Sequence, residues 1–230
     1  RVHVVSTHTP VLFFSSRGMV YKMKVYRLPL GTPTARGKAL VNLLPLHKGE
    51  FITTLMPLPE DEQTWQELDV MFATASGHVR RNKLSDFENV RANGKVAMKL
   101  AADDRLIGVR TCSDDDDGLL ATADGKCIRF PVTAVRVFSG RNSVGVRGIK
   151  LASADAVISM SVLRHVEFAA GERNDYLRRS RVERAEEDVV GTAELEDTTL
   201  ETSRYRDMQA SEEFVLTVTS RGFGKRSSAY

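Results

Sequence analysis

The sequence predicts an all-β fold built from a repeated, propeller-like unit of about four short strands. Three observations carry that reading. Four segments share the pattern Thr or Ser, two residues, Gly, then an alternating strand with basic tips: Ser15–Met23, Thr74–Asn82, Thr122–Phe130 and Thr219–Ser227. A Gly-x5-Leu element follows three of them, Gly37 to Leu43, Gly94 to Leu100 and Gly145 to Leu151. Soon after each leucine an acidic residue, Glu50, Asp104 or Asp155, opens another β-rich run.

The first element is a hairpin. Apolar runs precede each turn (Val11–Phe14, Val70–Ala73, Leu119–Ala121 and Phe214–Val218), and the turn glycine stands where a tight hairpin needs positive φ. The glycines Gly18, Gly77, Gly125 and Gly222 lie 59, 48 and 97 residues apart. The last interval equals one repeat of about 50 residues plus an insertion of about 45, a spacing typical of blade-forming repeats. The repeats are therefore expected over about 1–66, 67–115, 116–163 and 211–230, with an insertion over about 164–210. Repeated four-stranded units form either a ring or a solenoid, and the ring is favoured here.

The insertion reads differently from the rest. Ala169 to Asp188 is rich in Glu, Arg and Ala with few β-branched residues, which predicts a helix. A second, short helix is predicted over Thr202–Ala210, with a mobile acidic loop, Gly191–Thr199, between them. Charge follows the same division. The net charge is +3, yet Arg164–Glu213 carries 8 basic against 14 acidic residues, leaving +9 elsewhere. A basic body thus holds an acidic insert, which either decorates an outer edge, competes with a polyanion for the basic surface or mediates contact with another subunit.

Several functions are disfavoured. No apolar run approaches the roughly 18 residues of a membrane span, so a cytoplasmic protein with no membrane partner is expected. Cys112 and Cys127 form no Cys-x-x-Cys pair, and the five histidines show no metal-ligand spacing. The run Ser113–Gly118 half resembles a calcium loop, but its twelfth position is Asp124 rather than Glu, so a solvated hairpin turn is expected. Gly140-x4-Gly145 opens like a phosphate loop, yet Val146 and Arg147 stand where Lys and Ser or Thr are required. No catalytic constellation stands out, and no metal site or cofactor is expected in this chain.

What recurs is positive charge at equivalent repeat positions. Lys22 and Lys24, then Arg80, Arg81 and Lys83, then Lys126 and Arg129, then Lys225 and Arg226 fall just after the turn glycines. Arg36 and Lys38, Arg91 and Lys95, and Arg141 and Arg147 cluster around the Gly-x5-Leu loops. If equivalent positions share one surface, these residues form a basic band suited to a bent polyanion. Aromatic residues do not interleave with the charges, which favours duplex backbone contact over base stacking.

Ser15–Tyr26, Ala35–Leu46, Gly145–Leu151 and Gly224–Arg226 resemble the C-terminal domain of the A subunit of bacterial DNA gyrase, in order and across everything outside the insert. The resemblance implies a β-pinwheel, a disc of propeller-like blades that exchange strands, with double-stranded DNA wrapped on a basic rim. It further implies a non-catalytic role that steers DNA for ATP-dependent negative supercoiling. Its partners would be the N-terminal part of the A subunit of gyrase and the B subunit of gyrase, in an A2B2 holoenzyme. The cleavage tyrosine, the ATP site and its Mg would lie in those parts. The family's Gln-Arg-Arg-Gly-Gly-Lys-Gly box does not occur here, and the chain opens within a strand. A partial ring of about three to four blades is therefore expected. Two alternatives are the equivalent domain of topoisomerase IV, a decatenase, and a propeller that binds an acidic protein.

Overall fold

The computed structural model describes residues 2–140, 142–188 and 200–230, with the side chains at 62 and 185–188 set aside. The chain divides into two compact units, Arg1–Leu163 and Arg164–Tyr230. In the first unit the strands are β1 (Pro10–Ser15), β2 (Met19–Lys24), β3 (Ile52–Pro57), β4 (Asp69–Thr74), β5 (His78–Lys83), β6 (Lys95–Val96), β7 (Leu106–Cys112), β8 (Asp116–Thr122), β9 (Cys127–Pro131), β10 (Val146–Arg147) and β11 (Val157–Arg164). They form three sheets, ordered β3-β1-β2-β6, β10-β5-β4-β7 and β11-β8-β9.

Each hairpin turns on a glycine with φ between 75° and 85° in the first three repeats, as the sequence predicts. Gly18 shows why no other residue serves there. Besides its left-handed φ, an added Cβ would collide with the Met98 carbonyl oxygen, because the next repeat's chain lies directly on the turn.

The outermost strand of each complete sheet comes from the following repeat. In the first sheet β6 pairs with β2 through Met19↔Val96 and Val20↔Lys95. In the second, β10 pairs with β5 through Val146↔Val79 and Arg147↔His78. The Gly-x5-Leu element is therefore the exchanged strand: Gly94 and Gly145, both at φ 83°, lead directly into β6 and β10. Backbone bonds reinforce the exchange, with the Ala97 and Met98 N–H groups both donating to the Gly18 carbonyl and the Gly148 N–H to that of Gly77.

Face alternation explains how the sheets stack. On β1, Leu12 and Phe14 point one way and Val11 and Phe13 the other, as the two-residue period requires. Leu12 and Phe14 meet Val70 and Phe72 of β4 in a core shared by the first and second sheets. Met71 and Ala73, the alternate residues of β4, meet Leu120 and Val157 in a core shared by the second and third. Phe14, Phe72 and Phe87 form an aromatic triad in the first core, with ring centroids 5.6–5.8 Å apart. Such pairs add about 0.5–1.5 kcal/mol each beyond area burial. Trp65 is buried beside them and donates from Nε1 to the Pro59 carbonyl at 2.9 Å.

Two of the three acidic residues after the Gly-x5-Leu elements, Asp104 and Asp155, tie hairpin turns down, while Glu50 accepts from the His47 N–H and the Tyr21 hydroxyl. Asp104 accepts from the Ser76 N–H at 3.0 Å, the Arg105 N–H at 2.8 Å and the Ser76 hydroxyl at 2.5 Å. Asp155 repeats this on the Asp124 and Ala156 N–H groups at 3.1 and 2.8 Å. Burial raises the Asp104 pKa, but the hydrogen bonds from Ser76, Thr74 and the backbone outweigh it and leave the carboxyl below its ordinary value. A depressed folded pKa adds stability above the unfolded value of about 3.9 and loses it as pH falls through the lower folded value. Asp104→Asn is accordingly expected to unfold at lower urea concentration than the parent at neutral pH, with the gap closing under strongly acidic conditions. A gap independent of pH would contradict this assignment.

The aspartate run is not a hairpin turn. It connects β7 to β8, which belong to different sheets, because the chain passes here from one blade to the next. Asp116 accepts from the Ser113 N–H and hydroxyl at 2.7 and 2.9 Å, while Asp114 and Asp117 pair with arginines described below.

The second unit contains α1 (Ala170–Asp188), α2 (Thr202–Ser211) and the hairpin of β12 (Phe214–Val218) and β13 (Gly224–Ser228). Both helices fall where the sequence predicts them; the expected Gly191–Thr199 loop lies outside the described residues. Tyr176, Tyr205 and Met208 form the core with Phe168, Leu177, Leu200 and Tyr230 around it. Arg204 pairs with Glu172 at 2.7 Å and Arg184 with Glu212 at 2.6 Å.

Candidate nucleic-acid interface

Strand register brings one basic residue of every hairpin to the same place. Lys22, Arg81, Arg129 and Arg226, each four residues after a turn glycine, stand opposite Leu12, Met71, Leu119 and Leu216. In the first unit these side chains have internal partners. Arg81 is buried; its Nε donates to Asp69 Oδ2 at 2.6 Å and its Nη2 pairs with Asp69 and Asp114. Burial opposes the charge on Arg81, but hydrogen bonds and charge from Asp114 and Asp69 outweigh it and raise its pKa further. Arg129 repeats the arrangement, Nε to Asp117 Oδ2 at 2.7 Å. Asp69 and Asp117 both stand eight residues before their turn glycine, so the pair recurs in the second and third repeats, whereas Pro10 and Phe214 stand at that position in the first and fourth. Lys22 donates to the Glu88 carbonyl at 2.6 Å and sits 5.1 Å from the Trp65 ring centroid.

The expectation that every post-turn cation faces a polyanion is thereby corrected for two residues. Arg80 is 0% exposed and donates to the Ser143 carbonyl at 2.9 Å and to that of Gly140. Arg81 is 5% exposed. The loop that carries Phe138, Gly140 and Ser143 covers Arg80, and Asp69, Asp114 and the Val132 carbonyl enclose Arg81, so alternation does not carry either guanidinium to solvent. Moving Arg81 onto a phosphate would strand the Asp69 carboxylate, whose side chain is 2% exposed. Arg129 is half-buried in its ion pair.

The other sequence-predicted cations divide by exposure. Lys24, Arg36, Lys38, Arg91, Lys126 and Arg147 are exposed in the first unit, and Lys225 and Arg226 in the second. Lys83 is exposed at its head while holding Asp69 Oδ1 at 3.0 Å. Lys95 is half-buried and donates to the Asp86 and Asn89 carbonyls at 2.9 and 3.2 Å. Arg141 lies outside the described residues.

Arg91 and Arg147 belong to the segments that leave the second hairpin strand and deliver β6 and β10 to the sheet edges. Those edges lie opposite β3 and β7, so the exchange that completes a sheet also carries cations to one side of it. Two more were missed. Lys99 and Lys150 stand five residues after Gly94 and Gly145 and both are exposed. The Gly-x5-Leu pattern held the signal, since its fifth variable position is lysine in both repeats that donate an exchanged strand.

Among the described residues no group of three or more His, Cys, Asp or Glu side chains could hold a metal ion, and no helix is long and apolar enough to cross a membrane. Cys112 is buried and its thiol is pushed up to about 12, chiefly by desolvation, while Cys127 is exposed.

Successive blades that trade edge strands, with cations gathered where the traded strand closes the sheet, define a β-pinwheel. The family profile described as DNA gyrase C-terminal domain, beta-propeller, matches residues 9–59, 68–113, 118–164 and 213–230. The chain belongs to that family. The A subunit of DNA gyrase from Granulibacter bethesdensis is 54% identical over 97% of this chain, which corresponds to 25% of that protein. Its counterpart from Escherichia coli K12 is 47% identical over 71% of this chain and 18% of its own length. The chain spans about a quarter of the length of the first curated relatives it matches. A solved C-terminal domain of DNA topoisomerase IV superposes with a TM-score of 0.62 at 22% identity, over 69% of this chain and 48% of that one, a likeness of fold.

Proposed function

We propose that this chain is the DNA-binding part of a gyrase A protein, holding duplex DNA by its phosphates along the cationic sheet edges. The supporting observation is the recurrence of exposed Lys and Arg on the segments that donate β6 and β10, in a chain of the gyrase C-terminal family. Cations spread over successive blades match a bent backbone better than a base sequence, so binding is weak in sequence preference. Bending a 20–30 base-pair site costs about 1–6 kcal/mol, which distributed phosphate contacts can offset.

The domain steers DNA and does not cut it. It bends a segment and presents it to the N-terminal part of the same gyrase A protein, while the gyrase B protein supplies ATP hydrolysis with Mg²⁺ in an A2B2 assembly in the bacterial cytoplasm. Strand passage through the presented segment then introduces negative supercoils. The names of the relatives favour gyrase over topoisomerase IV.

Titration of this chain into a labelled random-sequence duplex at several salt concentrations tests the proposal. The expected result is an affinity that falls linearly on a log–log plot, with a slope of about 0.9 for each phosphate neutralised and a total reporting several contacts. Absence of salt-dependent binding, with retention of an acidic protein instead, would replace DNA with a protein partner.

A further inference from the structure

Residues 165–212 fall between the third and fourth family-matched segments, and their net negative charge suggests a helix pair that competes with DNA. The charge is distributed otherwise. Six of the fourteen carboxylates of Arg164–Glu213 lie at 186–197, beginning with Glu186, Glu187 and Asp188 in the last turn of α1, whereas its eight arginines lie at 164–184 and 204–206. On α1 the buried face carries Tyr176 and Ser180, and the opposite face exposes Asn174, Arg178 and Arg181. Neither Arg178 nor Arg181 has a partner among the described residues, while the carboxylates of Glu172, Glu183 and Glu212 hold Arg204, Arg179 and Arg184.

The stripe continues to the hairpin. Arg184, three residues beyond Arg181, lies 5.2 Å from the Phe214 ring centroid, and Arg226 of β13 lies 3.8 Å from the same ring. Two guanidinium groups from separate elements therefore converge on one partly exposed aromatic ring, with Lys225 adjacent in sequence and exposed. From Arg178 to Arg184 the helix rises about 9 Å at 1.5 Å per residue. One DNA strand carries about three phosphates over that length of duplex.

We propose that α1 and β13 form a second cationic strip that holds the phosphate backbone of duplex DNA, with Arg178 and Arg181 contacting successive phosphates and Arg184 and Arg226 framing its hairpin end. The described helices add to DNA binding, where the overall charge of the insert suggests competition. This inference rests on the proposal that the chain binds duplex DNA.

The test uses the whole chain, a labelled random-sequence duplex and a salt series. Arg178→Gln/Arg181→Gln is expected to reduce the log–log slope by roughly 1.8, at about 0.9 per lost contact, with circular dichroism unchanged because neither side chain packs internally. Arg36→Gln/Lys38→Gln, in the first unit, serves as the comparator for DNA binding through the blades. A parent that binds with salt dependence while the helix variant matches it in slope and affinity would overturn the inference and leave the DNA reading standing. Tighter binding by the helix variant would overturn it too. A parent that does not bind would sink the DNA reading and, with it, this inference.

Discussion

Replacing Arg81 with leucine is expected to lower the stability of the first unit by about 3–5 kcal/mol, the range for removing one partner of a buried ion pair. The cost arises from what remains. Asp69, 2% exposed at its side chain, loses its buried partner and keeps only the half-exposed Lys83 ammonium. Lys83→Leu should cost less than about 1 kcal/mol, since that ammonium is largely solvated. Urea denaturation followed by tryptophan fluorescence reports both, because Trp65 is buried in the adjoining core. Duplex binding by the folded fraction of Arg81→Leu should keep the parent's salt slope. A slope reduced by about 0.9 would mean that Arg81 reaches a phosphate after all.

Reversing charge at the exposed edge should do the opposite. Arg36→Glu, Lys38→Glu, Arg91→Glu and Arg147→Glu together are expected to cut the salt slope by roughly 3.6, at about 0.9 per phosphate contact, and to weaken binding to unrelated duplexes by a common factor. Stability should change little, because all four side chains are exposed. Weakening confined to one duplex sequence would contradict backbone recognition. Together the two variants separate the cations that hold the blades from those that face DNA.

Where the sequence was informative, a short-range rule applied. Hairpins need a left-handed residue, so Gly18, Gly77, Gly125 and Gly222 mark all four. Helix-forming composition located α1 and α2 to within a residue at each end. Strand exchange left no comparable local trace. β6 and β10 are two residues long, too short for a period, and their partner strands lie in the preceding repeat. Only the resemblance to a known family pointed to it.

Arg80 and Arg81 read as solvent-facing in the sequence for a related reason. Alternation reveals the solvent side of a strand only when it has one, and on β5 the loop that carries Phe138, Gly140 and Ser143 covers Arg80 while Asp69, Asp114 and the Val132 carbonyl enclose Arg81. A longer-range signal was present: an acid eight residues before the turn glycine accompanies a base four residues after it in Asp69/Arg81 and Asp117/Arg129. The aspartate run reads in sequence as one solvated turn because nothing local separates its carboxylates, while in the fold Asp114 and Asp117 answer separate arginines.

The traded edge strands also constrain how the protein can be made. The first sheet begins at Pro10 but cannot close until Val96 is available, and the second, begun at Asp69, waits for Arg147. On the ribosome each blade would therefore stay unfinished until most of its successor has emerged. Newly synthesised chain would always carry one raw sheet margin, and folding would advance one repeat behind translation.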